Sequence, residues 1–390
     1  MSISTGPVVS EKSDLDDVRE AAKGITSKYT REYWLDCARS GRFTDEMWQS
    51  MGDLGLLGLG IPEEYGGSGG GFSQVVALME VLAQAGTPPL YLVITGLARV
   101  PIVKYGTDSQ IRKYVTPTVT GEKKLCFAIT EPEAGTNSFV MKTSARKIDG
   151  GWVLSGQKVF ISGANEADLM LVVARTSPYE KGSRKSGLSL FVIDAKSSAI
   201  EKHRLNIAIT APETQWMVSF NDVELSDDAL IGEADMGANY LFDALNPERM
   251  IVAAMSLGIG DYALKRTVEF INMRAPFGKP IGSYQGVQHP LARAKANLEG
   301  ARHALYYAAA QFDAGLDSGP SANIAKYLAS EAGVEATDAA IQFHGGNGFD
   351  TDYDIITLWP LARLLKVGPI NNEMMLNYIG EHVLGLPKSY

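Results

Sequence analysis

The chain has 390 residues, 45% hydrophobic and 21% charged, with a formal charge of -9 and an isoelectric point near 5.2. That length suffices for two or three domains with substantial cores, and the acidic balance argues against nucleic acid or an anionic membrane as the principal partner. The two cysteines, Cys37 and Cys126, have no paired spacing, so neither a disulfide framework nor a cysteine-rich zinc site is indicated.

The opening "MSISTGPVVSEKSDLDDVRE" is acidic and lacks an apolar signal core, and no apolar run reaches the ~18 residues of a membrane span. The expected location is cytoplasmic, with an organellar matrix form left open. Residues 1–123 then read as a helical domain. Apolar positions recur at three- and four-residue spacing in "TDEMWQSMGDLGLLGL" and "SQVVALMEVLAQAG", on either side of the glycine loop "EEYGGSGGGF". Residues 124–235 change texture: "WVLSGQKVFISG", "DLMLVVART", "GLSLFVID" and "TQWMVSFNDVEL" are short β-branched or aromatic runs separated by turn residues. This block reads as a compact β domain. Residues 236–390 return to the helical period in long alanine-rich segments, which favour a bundle. The expected class is α+β, with two helical domains flanking a β domain.

Five segments carry more specific information: "CFAITEPEAGTNS" (126–138), "LSGQKVFISGANEADLMLVVART" (154–176), "LNPERMIVAA" (245–254), "RAPFGKPI" (274–281) with Gln285 after it, and "IQFHGGNGFDTDY" (341–353). Each has a plain structural reading: a strand with a Pro-Gly turn, core packing of Phe160, a helix-end arginine, a C-cap glycine turn. Together and in this order they resemble the acyl-CoA dehydrogenase family along nearly the whole chain. The resemblance implies an N-terminal helical domain, a central β-barrel and a C-terminal four-helix bundle, with FAD held at a subunit interface.

The implied reaction unsaturates an acyl thioester between its α and β carbons. That chemistry needs a base for the α proton, donors for the enolate-like oxygen and a hydride acceptor, which no side chain provides and a flavin does. By resemblance Phe127, Ile129, Thr130, Gly135 and Thr136 line the isoalloxazine or pyrophosphate, with Thr136 also near substrate. Phe160 stands where the family usually has Trp, and Ser162 where it usually has Thr, with Ile161 between them; an aromatic wall and a hydroxyl are kept. Arg274, Phe277, Gln285, Gln342, Gly345 and Gly346 are implied to clasp the cofactor of a neighbouring subunit, so a homodimer or homotetramer is expected. Arg274 offers a fork of donors suited to pyrophosphate, and the glycines allow close backbone approach. Asn371 is a further implied cofactor contact. His344 reads as a packed or capping histidine, and no metal is assigned.

Many family members carry their base near the C-terminus in a Glu-Gly-Thr segment, where this chain has Pro369-Ile370-Asn371. A subset resembling isovaleryl-CoA and long-chain acyl-CoA dehydrogenases instead carries it on an earlier helix, immediately before an arginine. Glu248 and Arg249 hold that position, which by resemblance implies a catalytic base and a residue that orients the site or the thioester end of the substrate. A helix-start reading coexists with this one: Asn246 as N-cap, Pro247 at N1 and Glu248 favoured by the helix dipole. Glu373 is a poor rival base and reads as a capping residue.

Several departures bear on the substrate carrier more than on the flavin. By resemblance the N–H at position 369 helps hold the thioester oxygen, and proline has none to give, so either Gly368 or Ile370 substitutes or that donor is lost. Pro360-Leu361 replaces an upstream Arg-Asp pair, and "NIAITAPETQW" lacks the usual glycine-arginine-small pattern. The expected function is FAD-dependent dehydrogenation of an acyl-CoA thioester, with an electron-transfer flavoprotein as acceptor. The alternatives are a carrier-protein-bound acyl substrate, a flavin-dependent oxidase or monooxygenase, and a non-enzymatic flavoprotein. Chain length and branching depend on cavity depth, which no single motif reports.

Overall fold

A computed structural model describes residues 14–180 and 186–388. Residues 1–13, which open the acidic leading segment, lie outside them. The N-terminal helices are α1 (Asp14–Lys28), α2 (Arg31–Ser40), α3 (Asp45–Asp53), α4 (Phe72–Gln84), α5 (Leu90–Tyr105), α6 (Asp108–Tyr114) and the single turn α7 (Thr116–Val119). The glycine loop anticipated between two helical patterns separates α3 from α4. Helices α4 and α5 are buried through most of their length, as their nearly uninterrupted apolar sequences require.

Eight strands follow among the described residues: β1 (Leu125–Ala128), β2 (Ser144–Ile148), β3 (Gly151–Ser162), β4 (Leu169–Arg175), β5 (Leu188–Asp194), β6 (Ile200–Arg204), β7 (Gln215–Ser226) and β8 (Leu230–Ile231). They form one sheet in the order β6-β7-β3-β2-β4-β5-β8, and β1 joins β4 in parallel from Leu125↔Leu169 to Ala128↔Val172. Strands β4 and β5 are almost wholly buried, as expected of the continuous apolar runs "LMLVVA" and "LSLFVI".

The C-terminal helices are α8 (Gly237–Met273), α9 (Gln285–Asp313), α10 (Gly319–His344), α11 (Ile355–Val367) and α12 (Asn372–Tyr378). Helix α10 packs against α8, α9, α11 and α12, while α4 of the N-terminal block covers α8. Every residue from Met250 to Gly260 is buried, so this part of α8 is enclosed on all faces. Small residues permit that enclosure. A Cβ on Gly258 would sit 2.4 Å from Ala83 Cβ on α4, and one on Gly333 of α10 would sit 2.7 Å from Ser256 O on α8. No helix among the described residues is long and apolar enough to cross a membrane.

Candidate active site

The loop after β1 is fastened to β3 by a buried ion pair. Lys158 Nζ lies 2.9 Å from Glu131 Oε1 and donates to Ile129 O at 2.8 Å; the Glu131 carboxylate also accepts from the amides of Lys142 (2.6 Å) and Thr143 (2.9 Å). Val159 N donates to Thr130 O at 2.9 Å, completing the staple. Burial pushes the Lys158 amine down to about 8, against the pull of the adjacent carboxylate. Burial works the other way on Glu131, but the Lys158 charge and the amide hydrogen bonds outweigh it, so that carboxyl lies below its ordinary range.

Immediately after Lys158 the β3–β7 register slips, between Lys158 and Ile161. Phe160 sits in the slip with φ +59, its side chain 59% exposed, between buried Val159 and Ile161. A bulge turns one side chain out of the alternation, and the left-handed backbone disfavours any residue with a Cβ by about 1–2 kcal/mol. An exposed aromatic held against that preference marks a surface built to present a ring. Beside it, Ser162 Oγ accepts from Gln215 Nε2 at 2.8 Å. Phe127 is buried in β1, Ile129 and Thr130 are half-buried, Gly135 and Thr136 are exposed, and the space where a Gly135 Cβ would point is open.

The helix-start reading of Glu248 needs correction. Helix α8 begins at Gly237, and Pro247 lies inside it, so Asn246 is not an N-cap and Glu248 gains nothing from a helix N-terminus. Polar residues in "DALNPER" disguise one face of a helix whose opposite face is already buried at Tyr240, Leu241 and Ala244. Pro247 instead removes the N–H that the carbonyl of residue 243 would accept. Glu248 is 1% exposed, and neither carboxylate oxygen has a hydrogen-bond partner. Burial raises its pKa well above the carboxylate range, while the positive charges of Arg249 and Lys326 oppose the shift. Arg249 Nη1 donates to Asn246 Oδ1 at 2.8 Å and its buried Nε has no partner.

The turn at 369–372 is held between α10 and the loop after β1. The Asn371 side chain caps α12, accepting from Met374 N at 3.0 Å, and donates from Nδ2 to Thr136 Oγ1 at 2.9 Å. The capping role anticipated for Glu373 therefore belongs to Asn371, and Glu373 sits exposed in the first turn. Gly368 N donates to Leu364 O at 2.8 Å at the end of α11, which removes Gly368 as a substitute for the missing Pro369 donor and leaves Ile370 or a lost donor. Lys326, absent from the sequence reading, donates to Ile370 O at 2.8 Å and to Asn372 Oδ1 at 2.7 Å. Its signal was legible: a lysine on the stripe Ala322, Ala325, Ala329 occupies the core face of α10. The Lys158–Glu131 pair and Gln215 were also missed, because pairing across a sheet is not a sequence pattern.

A second cluster lies at the far end of α8. Arg274, Phe277, Gln342, Gly345 and Gly346 line an open groove of about 630 Å³, whereas Gln285 falls between two of its lining residues, Tyr284 and Val287. No atom lies within 4 Å of a Cβ built on Gly345 or Gly346, so the groove floor is open backbone. His344 packs as anticipated, its Nδ1 2.7 Å from Ala340 O and its ring stacked on Phe270 at 4.3 Å. From Glu248 to the end of α8 is 25 residues, about 38 Å of helix axis at 1.5 Å per residue. One chain therefore does not bring Glu248 and this groove to the same small ligand.

The departing segment 206–216 encloses a cavity of about 60 Å³ lined in part by Glu213, Gln215, Arg204 and Leu364. Glu213 accepts from Tyr91 N at 3.1 Å, its other oxygen has no partner, and burial pushes its carboxyl up to about 7 from an ordinary 4.5. A raised carboxyl pKa gives stability that is complete below about 4.5 and is lost as pH rises to about 7 and beyond. Glu213→Gln keeps the acceptor without the charge, so it is expected to raise stability by about 2–3 kcal/mol at pH 8 and to change little at pH 4.5. Urea unfolding of both proteins at the two pH values checks this; equal stability at pH 8 would show that the carboxylate is solvated.

Glu248 is an enclosed carboxylate on α8, Phe160 an exposed ring on β3, and the 369–372 turn is joined to the loop after β1 by the Asn371–Thr136 hydrogen bond and to α10 by Lys326. Three family models match in succession: acyl-CoA dehydrogenase N-terminal domain over residues 12–122, middle domain over 126–223 and C-terminal domain over 235–384. The chain belongs to the acyl-CoA dehydrogenase family. It is 39% identical to acyl-CoA dehydrogenase FadE12 of Mycobacterium tuberculosis, over 97% of this chain and 98% of that protein. It is 32% identical to the caffeyl-CoA reductase-Etf complex subunit CarC of Acetobacterium woodii, over 90% and 93%. Among solved structures, butyryl-CoA dehydrogenase from Megasphaera elsdenii superimposes with a TM-score of 0.90 at 28% identity, covering 97% of this chain and all of that one.

Proposed function

We propose that the protein is an FAD-dependent acyl-CoA dehydrogenase in which Glu248 abstracts the α proton of the thioester. The observation that carries this is the buried Glu248 carboxylate with two unpartnered oxygens: an unsatisfied buried acceptor is costly, and its persistence is explained by a substrate that completes it. In the proton step the α C–H bond breaks, an O–H bond forms on Glu248, and the electron pair moves toward the thioester oxygen. A base raised toward neutral pH by burial is matched to that transfer. Arg249 orients the thioester end, and Ile370 N–H supplies a donor to the thioester oxygen.

The residues around the β3 bulge fit a flavin: an exposed ring at Phe160, a hydroxyl at Ser162 and open backbone at Gly135 suit a flat polar ring and its phosphates. Phe127, Ile129, Thr130, Thr136, Ile161 and Asn371 complete that end. When bound, FAD supplies the hydride acceptor for the β carbon. The groove at Arg274, Phe277, Gln342, Gly345 and Gly346, with Gln285 at its margin, holds the cofactor's other end in a second copy of the chain, so the active form is at least a dimer. The length of α8 between Glu248 and the groove supports this arrangement. An electron-transfer flavoprotein reoxidises the cofactor, in keeping with the Etf complex named for the CarC relative.

Incubation with an acyl-CoA and an artificial electron acceptor is expected to yield the trans-2-enoyl thioester in a one-to-one ratio with electron pairs transferred. Hydrogen peroxide with no enoyl product would instead indicate oxygen chemistry. Phe160→Gly removes both the ring and the left-handed penalty. The flavin-free protein is therefore expected to match or exceed the parent by about 1 kcal/mol, while FAD dissociates at least several-fold faster. Unchanged FAD affinity would remove Phe160 from the cofactor wall.

A further inference from the structure

Helices α8 and α10 run in the same direction: a Cβ on Gly333 would sit 2.7 Å from Ser256 O, and one on Gly260, further along α8, would sit 3.4 Å from the Cβ of Ala336, further along α10. Their register is fixed where Gly333 meets Ser256 O. Seven residues, two helical turns, separate Gly333 from Lys326, and seven separate Ser256 from Arg249. Lys326 is thereby level with the Glu248–Arg249 pair. Its side chain is fully buried, and its ammonium has three N–H donors, two of which are committed to Ile370 O and Asn372 Oδ1. Ser330 Oγ also donates to Asn372 Oδ1 (3.0 Å), and Asn372 Nδ2 donates to Glu331 Oε1 (2.8 Å), so the acceptors are themselves fixed.

We propose that Lys326 is a positioning residue for proton abstraction: from the same level of the bundle its charge favours the ionised Glu248 carboxylate, while its two hydrogen bonds fix the 369–372 turn. The inference rests on the reading of Glu248 as base. The turn replaces the segment that carries the base in other family members, and in this chain a lysine from α10 anchors it by the Ile370 carbonyl. Ile370 N–H is the remaining donor for the thioester oxygen, so one ammonium aligns that donor and biases the base.

The charged groups around it leave this role to Lys326. On α8 it faces Glu248 and Arg249; on α12, Glu373; on its own helix, Glu331. Glu331 is paired with Lys366 of α11 at 2.8 Å, and Glu373 is exposed. Arg249 also favours the Glu248 anion, but its Nη1 is directed to Asn246 and it faces Tyr378 as well. The Lys326 amine is itself lowered by burial, with Glu248 pulling the other way, as two groups sharing one enclosed site require.

The test uses full-length, FAD-bound Lys326→Met, Lys326→Gln, Lys326→Arg and Glu248→Gln. First, the protonated-carboxyl infrared band that vanishes in Glu248→Gln is titrated in resting enzyme without substrate. Second, anaerobic flavin bleaching is followed against pH with whichever of butyryl-, isovaleryl- or palmitoyl-CoA reduces the parent. Loss of the positive charge raises the Glu248 midpoint, so Lys326→Met and Lys326→Gln are expected to shift it upward by about one pH unit or more. Their reduction rate should fall about tenfold on the acid side and recover at higher pH. Lys326→Arg should return the midpoint toward the parent's. Lys326→Gln keeps a donor for Ile370 O and so covers the case in which Lys326→Met fails to fold. An unshifted midpoint, or a loss of rate uniform in pH, would overturn the proposal and leave Lys326 a packing residue. Full activity in Glu248→Gln would instead remove the underlying reading of the base.

Discussion

Glu248→Gln is expected to fold, to retain FAD and to lose reduction by acyl-CoA by about 10²–10⁴-fold, the range associated with removing a positioned general base. The amide is nearly isosteric and neutral, so it relieves the burial of a carboxylate that has no hydrogen-bond partner in the resting protein. Stability should therefore hold while the proton step fails. Stopped-flow bleaching under anaerobic conditions, with the visible spectrum reporting bound flavin, separates the two effects. A variant that lost FAD as well would place Glu248 in the scaffold. A variant that kept its rate would send the search for a base to the C-terminal turn, where Glu373 is the nearest carboxylate in sequence but is exposed beside Asn371, the α12 cap.

Lys158→Met should be the most damaging substitution outside the acyl site, with an expected loss of about 3–5 kcal/mol. Removing one partner of a buried ion pair leaves the other charge without compensation. The Glu131 carboxylate would retain the two amides of Lys142 and Thr143 but lose its ammonium, and the Ile129 carbonyl would lose its donor. Both changes act on the loop between β1 and the Phe160 bulge, so FAD affinity should fall with stability. Urea unfolding with paired FAD titration checks this. A loss below about 1 kcal/mol would show that the two amides suffice for Glu131. Lys158→Met with Glu131→Gln should recover part of the loss, because the remaining buried group is then neutral.

Why these two residues differ in legibility is a matter of what sequence patterns encode. The helical, β and helical blocks were readable because burial imposes periods of 3.6 and 2 on apolar residues, as in α8 and in β4 and β5. Glu248 was readable as a candidate through its motif, yet its local structure was misread. Pro247 and Asn246 look like a helix start, and only the burial of Tyr240 and Leu241 on the preceding turns shows that the helix is already under way. Propensity lost there to tertiary packing. Lys158 stood inside a quoted motif without a role, since its partner Glu131 is 27 residues away and reaches it through the fold of β1 against β3. Lys326 stood in no motif, and its placement depends on the two-turn register between α8 and α10. The capping of α12 by Asn371 in place of Glu373 reflects a boundary shift of two residues.

The most direct measurement is an anaerobic titration of the purified, FAD-containing protein with butyryl-, isovaleryl- and palmitoyl-CoA, following the oxidised flavin band. Stoichiometric bleaching by at least one of these thioesters, absent in Glu248→Gln, is the predicted result, and the thioester that acts also reports the chain length or branching accepted. A flavin that stays oxidised with all three, under conditions where dithionite bleaches it fully, would contradict acyl-CoA dehydrogenation as the activity of this protein.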